Sequence, residues 1–311
     1  MKRQFDDVLV GSLELFCLAA ETGGFTSAAT AAGVTPAAVS RSVARLEERL
    51  GVRLFVRTTR HIHLTDAGRA YWTHCRQVLD QLAEADREVS GEQSEPSGRI
   101  RVSVPTTYGH YRLLPVLAEF HRLHPRIQAD IHIGNRNIDF GSEGFDLAVR
   151  VRKPPESGLV ARHLEDAELV LVASPDYLRR RGVPESLGAL AEHDCIQFEL
   201  PSTGRRIPWL FKDGATDIEL ETDGPFLLSE DVLGGVSLAC SGAGVFQAYR
   251  FTVEREIALQ RLVEILPQHG GRSRPFNLLY PHGRHMPLRV RAFIDFLLES
   301  LRKSAWSRPG A

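Results

Sequence analysis

Residues 25–65 read FTSAATAAGVTPAAVSRSVARLEERLGVRLFVRTTRHIHLT, and this stretch decides how the rest of the chain is read. Two Ala-rich segments flank Gly33, and the second runs on as an amphipathic helix to Gly51, a helix-turn-helix pattern. In that second helix Val39, Val43, Leu46 and Leu50 recur at steps of four, three and four, which predicts one buried stripe. Ser40, Arg41 and Arg45 then point elsewhere, free to enter a groove. Beyond Gly51, LFVRTTRHIHLT alternates Ile62 and Leu64 with His61 and His63 and predicts a short hairpin, or wing.

The chain has 311 residues, enough for two or three domains with sizeable cores. Its 38 Lys plus Arg against 39 Asp plus Glu leave a formal charge of −1, so a polyanion must be met by a local cluster. That cluster lies between Arg41 and Arg60, where six arginines face only Glu47 and Glu48. Cys17, Cys75, Cys195 and Cys240 are scattered without a CxxC pair, which argues against a disulfide framework and a zinc site and for reduced thiols. No apolar run follows the first residues or approaches the roughly 20 a membrane helix needs. A soluble, cytoplasmic protein with no membrane association is expected.

Outward from the opening stretch, Leu9, Leu13, Phe16 and Ala20 predict a first helix over about 8–21 that packs under the helix-turn-helix. Thr26 or Ser27 can cap the next helix and offer a hydroxyl and free N–H groups to a DNA phosphate; an ordinary cap is the simpler expectation. After the wing, a long helix over 66–90 carries Tyr71, Cys75, Val78, Leu82, Ala85 and Val89 as a heptad seam. The seam either packs on its own domain or pairs with a second copy; pairing suits a two-fold DNA site. Residues 91–98 form a polar hinge. From Arg99 strand-like and helix-like pieces alternate, the order of βαβ units.

The helix-turn-helix, wing and following TDAG, together with PSGRIRVSVP, HRLHPRI, SEGFDLAVRV, LVLVASPDYL and VRAFIDFL, resemble the LysR-type transcriptional regulators over nearly the whole chain. The resemblance implies an all-α winged helix-turn-helix domain (1–65), a dimerisation linker helix (66–90) and a hinge (91–98). An α/β two-lobed effector-binding domain of the type II periplasmic-binding-protein kind (99–305) follows. Lobe one would hold 99–168 and 272–305, and lobe two 169–271. It also implies a sequence-specific transcriptional regulator working as a homodimer or homotetramer on a dyad operator of double-stranded DNA. A small molecule bound between the lobes would modulate it, with RNA polymerase as a further partner.

By that resemblance Thr35, Pro36, Ala37, Ser40 and Arg41 sit at recognition-helix positions and Arg57, Thr58 and Arg60 in the wing. Arg41 can give two donors to a guanine edge, Ser40 or Thr35 can bond base or phosphate, and Pro36 and Ala37 offer apolar contact. Wing arginines suit phosphate neutralisation or minor-groove insertion, whereas Arg45 and Arg49 can instead pair with Glu47 or Glu48. In open α/β sheets ligands bind beyond the carboxyl ends of strands, which nominates Thr106, Thr107, Asn135, Arg150, Phe198 and Asp231. The alternatives are capping for the threonines, a salt bridge for Arg150 and core packing for Phe198. If Arg150 faces the cleft, an anionic aromatic effector follows, with Phe198 stacking on its ring.

No cofactor, metal or catalytic set is expected, and the chain is not read as an enzyme. His61 and His63 lack a third ligand, and 235–239 and 242–244 fall short of a nucleophile elbow and a dinucleotide fingerprint. The competing reading is a two-lobed α/β small-molecule-binding protein or enzyme without DNA-binding function; a third is an architectural DNA-binding protein. The sequence leaves open the effector, the operator, the target genes, and activation or repression.

Overall fold

The computed structural model describes residues 9–57, 62–89, 95–151, 158–282 and 286–306. Thr58, Arg60 and His61, residues 90–94 of the expected linker end and hinge, and the side chains of Arg57, Ala85 and Val89 lie outside the described set. The chain forms two compact units, Met1–Gly98 with Asp139–Gly144, and Arg99–Ile138 with Phe145–Ala311.

In the first unit, helices α1 (Leu9–Thr22), α2 (Phe25–Ala32) and α3 (Pro36–Leu50) precede a two-stranded wing, β1 (Phe55–Arg57) and β2 (Ile62–Leu64), and the long α4 (Asp66–Val89). Gly33 ends α2 in the left-handed region at φ 65°, a conformation that costs a side-chain-bearing residue far more. Thr35 starts α3 by accepting from the Ala38 N–H at 3.2 Å, and Pro36 fills the first helical position, where no N–H is needed. Val39, Val43 and Leu46 are buried with Leu13, Phe16, Leu54 and Phe55. Leu50, expected on the same stripe, is exposed in the last turn of α3. The wing pairs antiparallel with Phe55 opposite Leu64.

Gly68 lies where α4 crosses the chain entering the wing: a Cβ there would stand 2.0 Å from the Leu54 carbonyl oxygen. The Thr65 hydroxyl donates to the Arg53 carbonyl at 2.7 Å and accepts from the Gly68 N–H at 2.9 Å, so one residue closes the wing and caps α4. The heptad seam of α4 divides. Cys75 is buried in the core of its own unit, with Tyr71, Trp72 and Leu79 packed around that core. Val78 and Leu82 are exposed.

The second unit opens with β3 (Gly98–Val104), α5 (Thr106–Tyr108), a π-helical turn (Gly109–Leu113), α6 (Leu114–Leu123) and β4 (Ile127–Ile133). The short α7 (Phe140–Glu143), which belongs to the first unit, leads to β5 (Leu147–Arg150) and then β6 (Leu159–Ala173). Next come α8 (Pro175–Arg181), β7 (Gln197–Leu200), β8 (Arg205–Arg206), β9 (Trp209–Asp213), β10 (Thr216–Leu220), β11 (Leu227–Leu228) and α9 (Leu233–Cys240). The chain closes with β12 (Phe246–Tyr249), α10 (Arg250–Ala258), β13 (Val263–Glu264), β14 (Ser273–Pro281) and α11 (Leu288–Trp306).

The main sheet runs β12-β6-β14-β5-β3-β4, with β13 also on β6. Strands β3 and β5 are parallel, but β6 and β14 run antiparallel through the middle, so the sheet is mixed. The pairing changes where the chain passes between lobes. Residues 159–168 of β6 pair with β14, and from Leu169 onward β6 pairs with β12 and β13. Lobe one is filled by Val102, Val104, Tyr108, Phe120, Phe276 and Phe293. Lobe two has cores on both sides of its sheet, one around Tyr177, Trp209 and Phe211 and another around Val172, Ile196 and Phe246.

Candidate functional site

On α3 the buried stripe fixes what the outer face presents. Thr35, Pro36, Ala37 and Arg41 are exposed and Ser40 is half-buried. Among the described residues Arg41 has no hydrogen-bond or ionic partner, whereas Arg45 donates to Ser42 at 3.4 Å. Glu47 does not pair with Arg45. It turns inward, accepts from the N–H groups of Leu54 and Phe55 at 2.8 and 3.2 Å, and receives Arg53 at 2.9 Å. Burial alone would raise its pKa; the two backbone donors and the Arg53 cation outweigh that and hold the carboxyl below its usual range. The carboxylate thus ties α3 to the base of the wing.

Thr26 and Ser27 are exposed in the first turn of α2, but neither caps it. Gly24 occupies the cap position with extended backbone, because Phe25, whose ring meets Phe55 edge-on at 5.6 Å, already stands at the first helical position. Their hydroxyls remain beside the helix N-terminus.

In the second unit a cleft opens where the two lobes meet, enclosing about 520 Å³ of empty space counting its mouth. Thr107 and Phe198, nominated from sequence, line it together with Leu169, Trp209, Val236 and Tyr249, and Arg274 reaches it from β14. Thr106 and Asn135 stand apart from its lining as a hydrogen-bonded pair. Asn135 accepts from the Thr106 N–H at 3.3 Å, donates to the Thr106 hydroxyl at 3.2 Å, and donates to the Glu230 carbonyl of lobe two. Glu230 holds a φ of 66°, an unusual value for a residue with a side chain.

Arg150 and Asp231 are not among the residues lining the cleft. The Arg150 guanidinium is occupied by the carbonyls of Ser103, Val149 and Arg136 and by the Ser103 hydroxyl, the last two at 2.9 and 2.8 Å. At the ends of β3 and β5 the ladder runs out, and this side chain satisfies the carbonyls left there. The aromatic-anion argument that rested on Arg150 therefore loses its cation. Asp231 accepts from the Leu233 N–H at 3.0 Å and serves the start of α9.

Sequence reasoning missed Trp209, Tyr249 and Arg274. Trp209 falls on β9, whose WLFKD does not alternate, although the Asp213-Gly214 turn marks its hairpin with β10; Tyr249 ends β12, whose FQAY alternates over only four residues. Arg274 had a positional signal: it follows the expected return to lobe one at residue 272. Burial pushes the Tyr249 phenol up to about 12, with the neighbouring Arg274 cation pulling the other way.

A family profile described as the bacterial regulatory helix-turn-helix protein, lysR family, matches residues 10–69, and one described as the LysR substrate binding domain matches 93–302. The chain belongs to the LysR family. It is 37% identical over 292 residues to the transcriptional regulator PtxR of Pseudomonas aeruginosa, covering 93% of this chain and 92% of that one. It is 33% identical over 290 residues to the regulator CrgA of Neisseria meningitidis, covering 93% and 96%. The solved structure of CrgA from Neisseria meningitidis, a LysR-type transcriptional regulator, superposes with a TM-score of 0.61 at 32% identity over 94% of this chain and 98% of that one. As a LysR-family member this chain is a DNA-binding transcriptional regulator with an effector-binding domain, not an enzyme. No helix among the described residues is long and apolar enough to cross a membrane.

Proposed function

We propose that this LysR-family regulator reads DNA through Thr35, Ser40 and Arg41 of α3, with Pro36 and Ala37 giving apolar contact. Thr26 and Ser27 hold a phosphate at the start of α2, and Arg57, Thr58 and Arg60 bring the wing to the backbone. The observation that carries the reading is Arg41, an exposed guanidinium without a partner among the described residues, on a helix whose opposite face is locked in the core. Gel-shift titration against a dyad operator tests it. Arg41→Ala should weaken specific binding by about 1–3 kcal/mol and relax discrimination at one base pair. Unchanged affinity and unchanged specificity would overturn it.

The protein acts as a homodimer or homotetramer in the cytoplasm, because one recognition helix per half-site needs a two-fold partner. Its effector occupies the cleft beside Thr107 and Phe198, and the effector's preference for one lobe arrangement alters operator occupancy or contact with RNA polymerase.

A further inference from the structure

Asn135 of lobe one reaches lobe two with a side-chain amide that is used at both ends. Its Oδ1 accepts from the Thr106 N–H, one Nδ2 hydrogen goes to the Thr106 hydroxyl, and the other goes to the Glu230 carbonyl. The Thr106 N–H can only donate, so Oδ1 must face it, which fixes the end of the amide turned to lobe two. The backbone beneath is held as well, the Gly134 N–H donating to the Val104 carbonyl at 2.9 Å.

On lobe two the acceptor is presented under strain. Glu230 has a φ of 66°, in the left-handed region that glycine enters freely and a residue with a Cβ does not. The turn around it is tight. The Asp231 N–H donates to the Ser229 carbonyl at 2.7 Å, and the Asp231 carboxylate accepts from the Leu233 N–H at 3.0 Å. Thr107, next to Thr106, and Val232 and Leu233, just past Glu230, line the cleft, so this contact stands at its rim. A strained residue persists only where its surroundings hold it, and here the holding contact comes from the other lobe.

We propose that Asn135 and Glu230 form a latch across the rim of the cleft, with Asn135 the residue that positions lobe two against lobe one. The hydrogen bond favours the present arrangement of the lobes and the left-handed Glu230 backbone opposes it. The two effects leave the latch poised to release. A glycine at position 230 would remove the opposition and tighten it.

Trp209 reports on the latch, since it lines the cleft from lobe two and is only 4% exposed. Acrylamide quenching is measured on the full-length protein with Trp72 and Trp306 replaced by Phe. Asn135→Asp keeps acceptors for the Thr106 N–H and hydroxyl but sets an acceptor against the Glu230 carbonyl. Losing one hydrogen bond shifts an equilibrium about threefold to tenfold, so the quenching constant of Trp209 should rise at least about twofold. Glu230→Gly keeps the carbonyl and relieves the backbone, and its quenching constant should fall below the native one. A role confined to the Thr106 turn would leave Trp209 unmoved in both variants. Thermal melting checks that each is folded, and if Asn135→Asp does not fold, Glu230→Gly alone decides. Native quenching in a folded Asn135→Asp, or quenching in Glu230→Gly at or above the native value, overturns the latch. Gel shifts on the same variants separate it from the regulation proposed above. Altered quenching with unchanged operator affinity upholds the latch and defeats instead the coupling of lobe arrangement to DNA binding.

Discussion

Glu47 shows how a residue that looks like surface charge can be a structural joint. Its sequence neighbours suggest a helix-face ion pair, yet it accepts two backbone N–H groups at the wing base and is buried. Since its Arg53 partner is largely exposed, the backbone donors carry most of the stabilisation. Glu47→Gln should cost about 1–2 kcal/mol near neutral pH. The pH dependence has a definite sign. The folded-state pKa lies below the unfolded value, so the carboxylate's contribution is complete above the unfolded pKa and is lost as pH falls through the folded one. Chemical denaturation of native and Glu47→Gln protein across the acid range should show the gap narrowing as pH falls below that of an ordinary glutamate. A gap independent of pH would contradict the assigned role. Arg150 gives the complementary lesson. Type and position made it a cleft candidate, but nothing in the sequence reveals that carbonyls near two strand ends need a donor, and the guanidinium serves them together with the Arg136 carbonyl and the Ser103 hydroxyl.

At the scale of elements, α3 and the wing were legible because periodicity, the Thr35 cap, Pro36 and Gly33 all point to one structure. The seam of α4 was only half legible: a heptad pattern shows that a face is apolar, not which body covers it. The chain covers Cys75 itself and leaves Val78 and Leu82 exposed one turn apart. Pairing with a second copy would bury those two side chains, each contributing about 1.5–3 kcal/mol if fully covered. Val78→Asp with Leu82→Asp should therefore shift sedimentation to the monomer and abolish operator binding without altering a DNA-facing residue. A double variant that sediments as a monomer and still binds tightly would break that coupling. The strands of lobe two were the least legible elements, since β8, β11 and β13 are two-residue pieces set by tertiary pairing rather than by local pattern.

For the effector domain as a whole, β6 and β14 join the lobes, and α10 adds a third tie. Although α10 follows β12 of lobe two, Phe251 at its start is buried in the core of lobe one. The ring lies parallel to Tyr249 at 5.4 Å and beneath the Arg112 guanidinium at 4.4 Å. Phe251→Ala should cost about 3–5 kcal/mol. It should also split the melting of the domain in scanning calorimetry, which is expected to be a single transition in the native protein. A variant that still melts in one step at the native temperature would show that the ring links nothing.

A ring from one lobe mortised into the other limits the gestures open to this domain. Two lobes joined by strands alone can swing like a book, but a peg seated in a socket favours rotation about itself. Tyr249, which lines the cleft, is stacked face to face on that peg. A molecule settling against Tyr249 would press on the pivot directly, so the message leaving the cleft would be a small torsion between the lobes, not a wide opening.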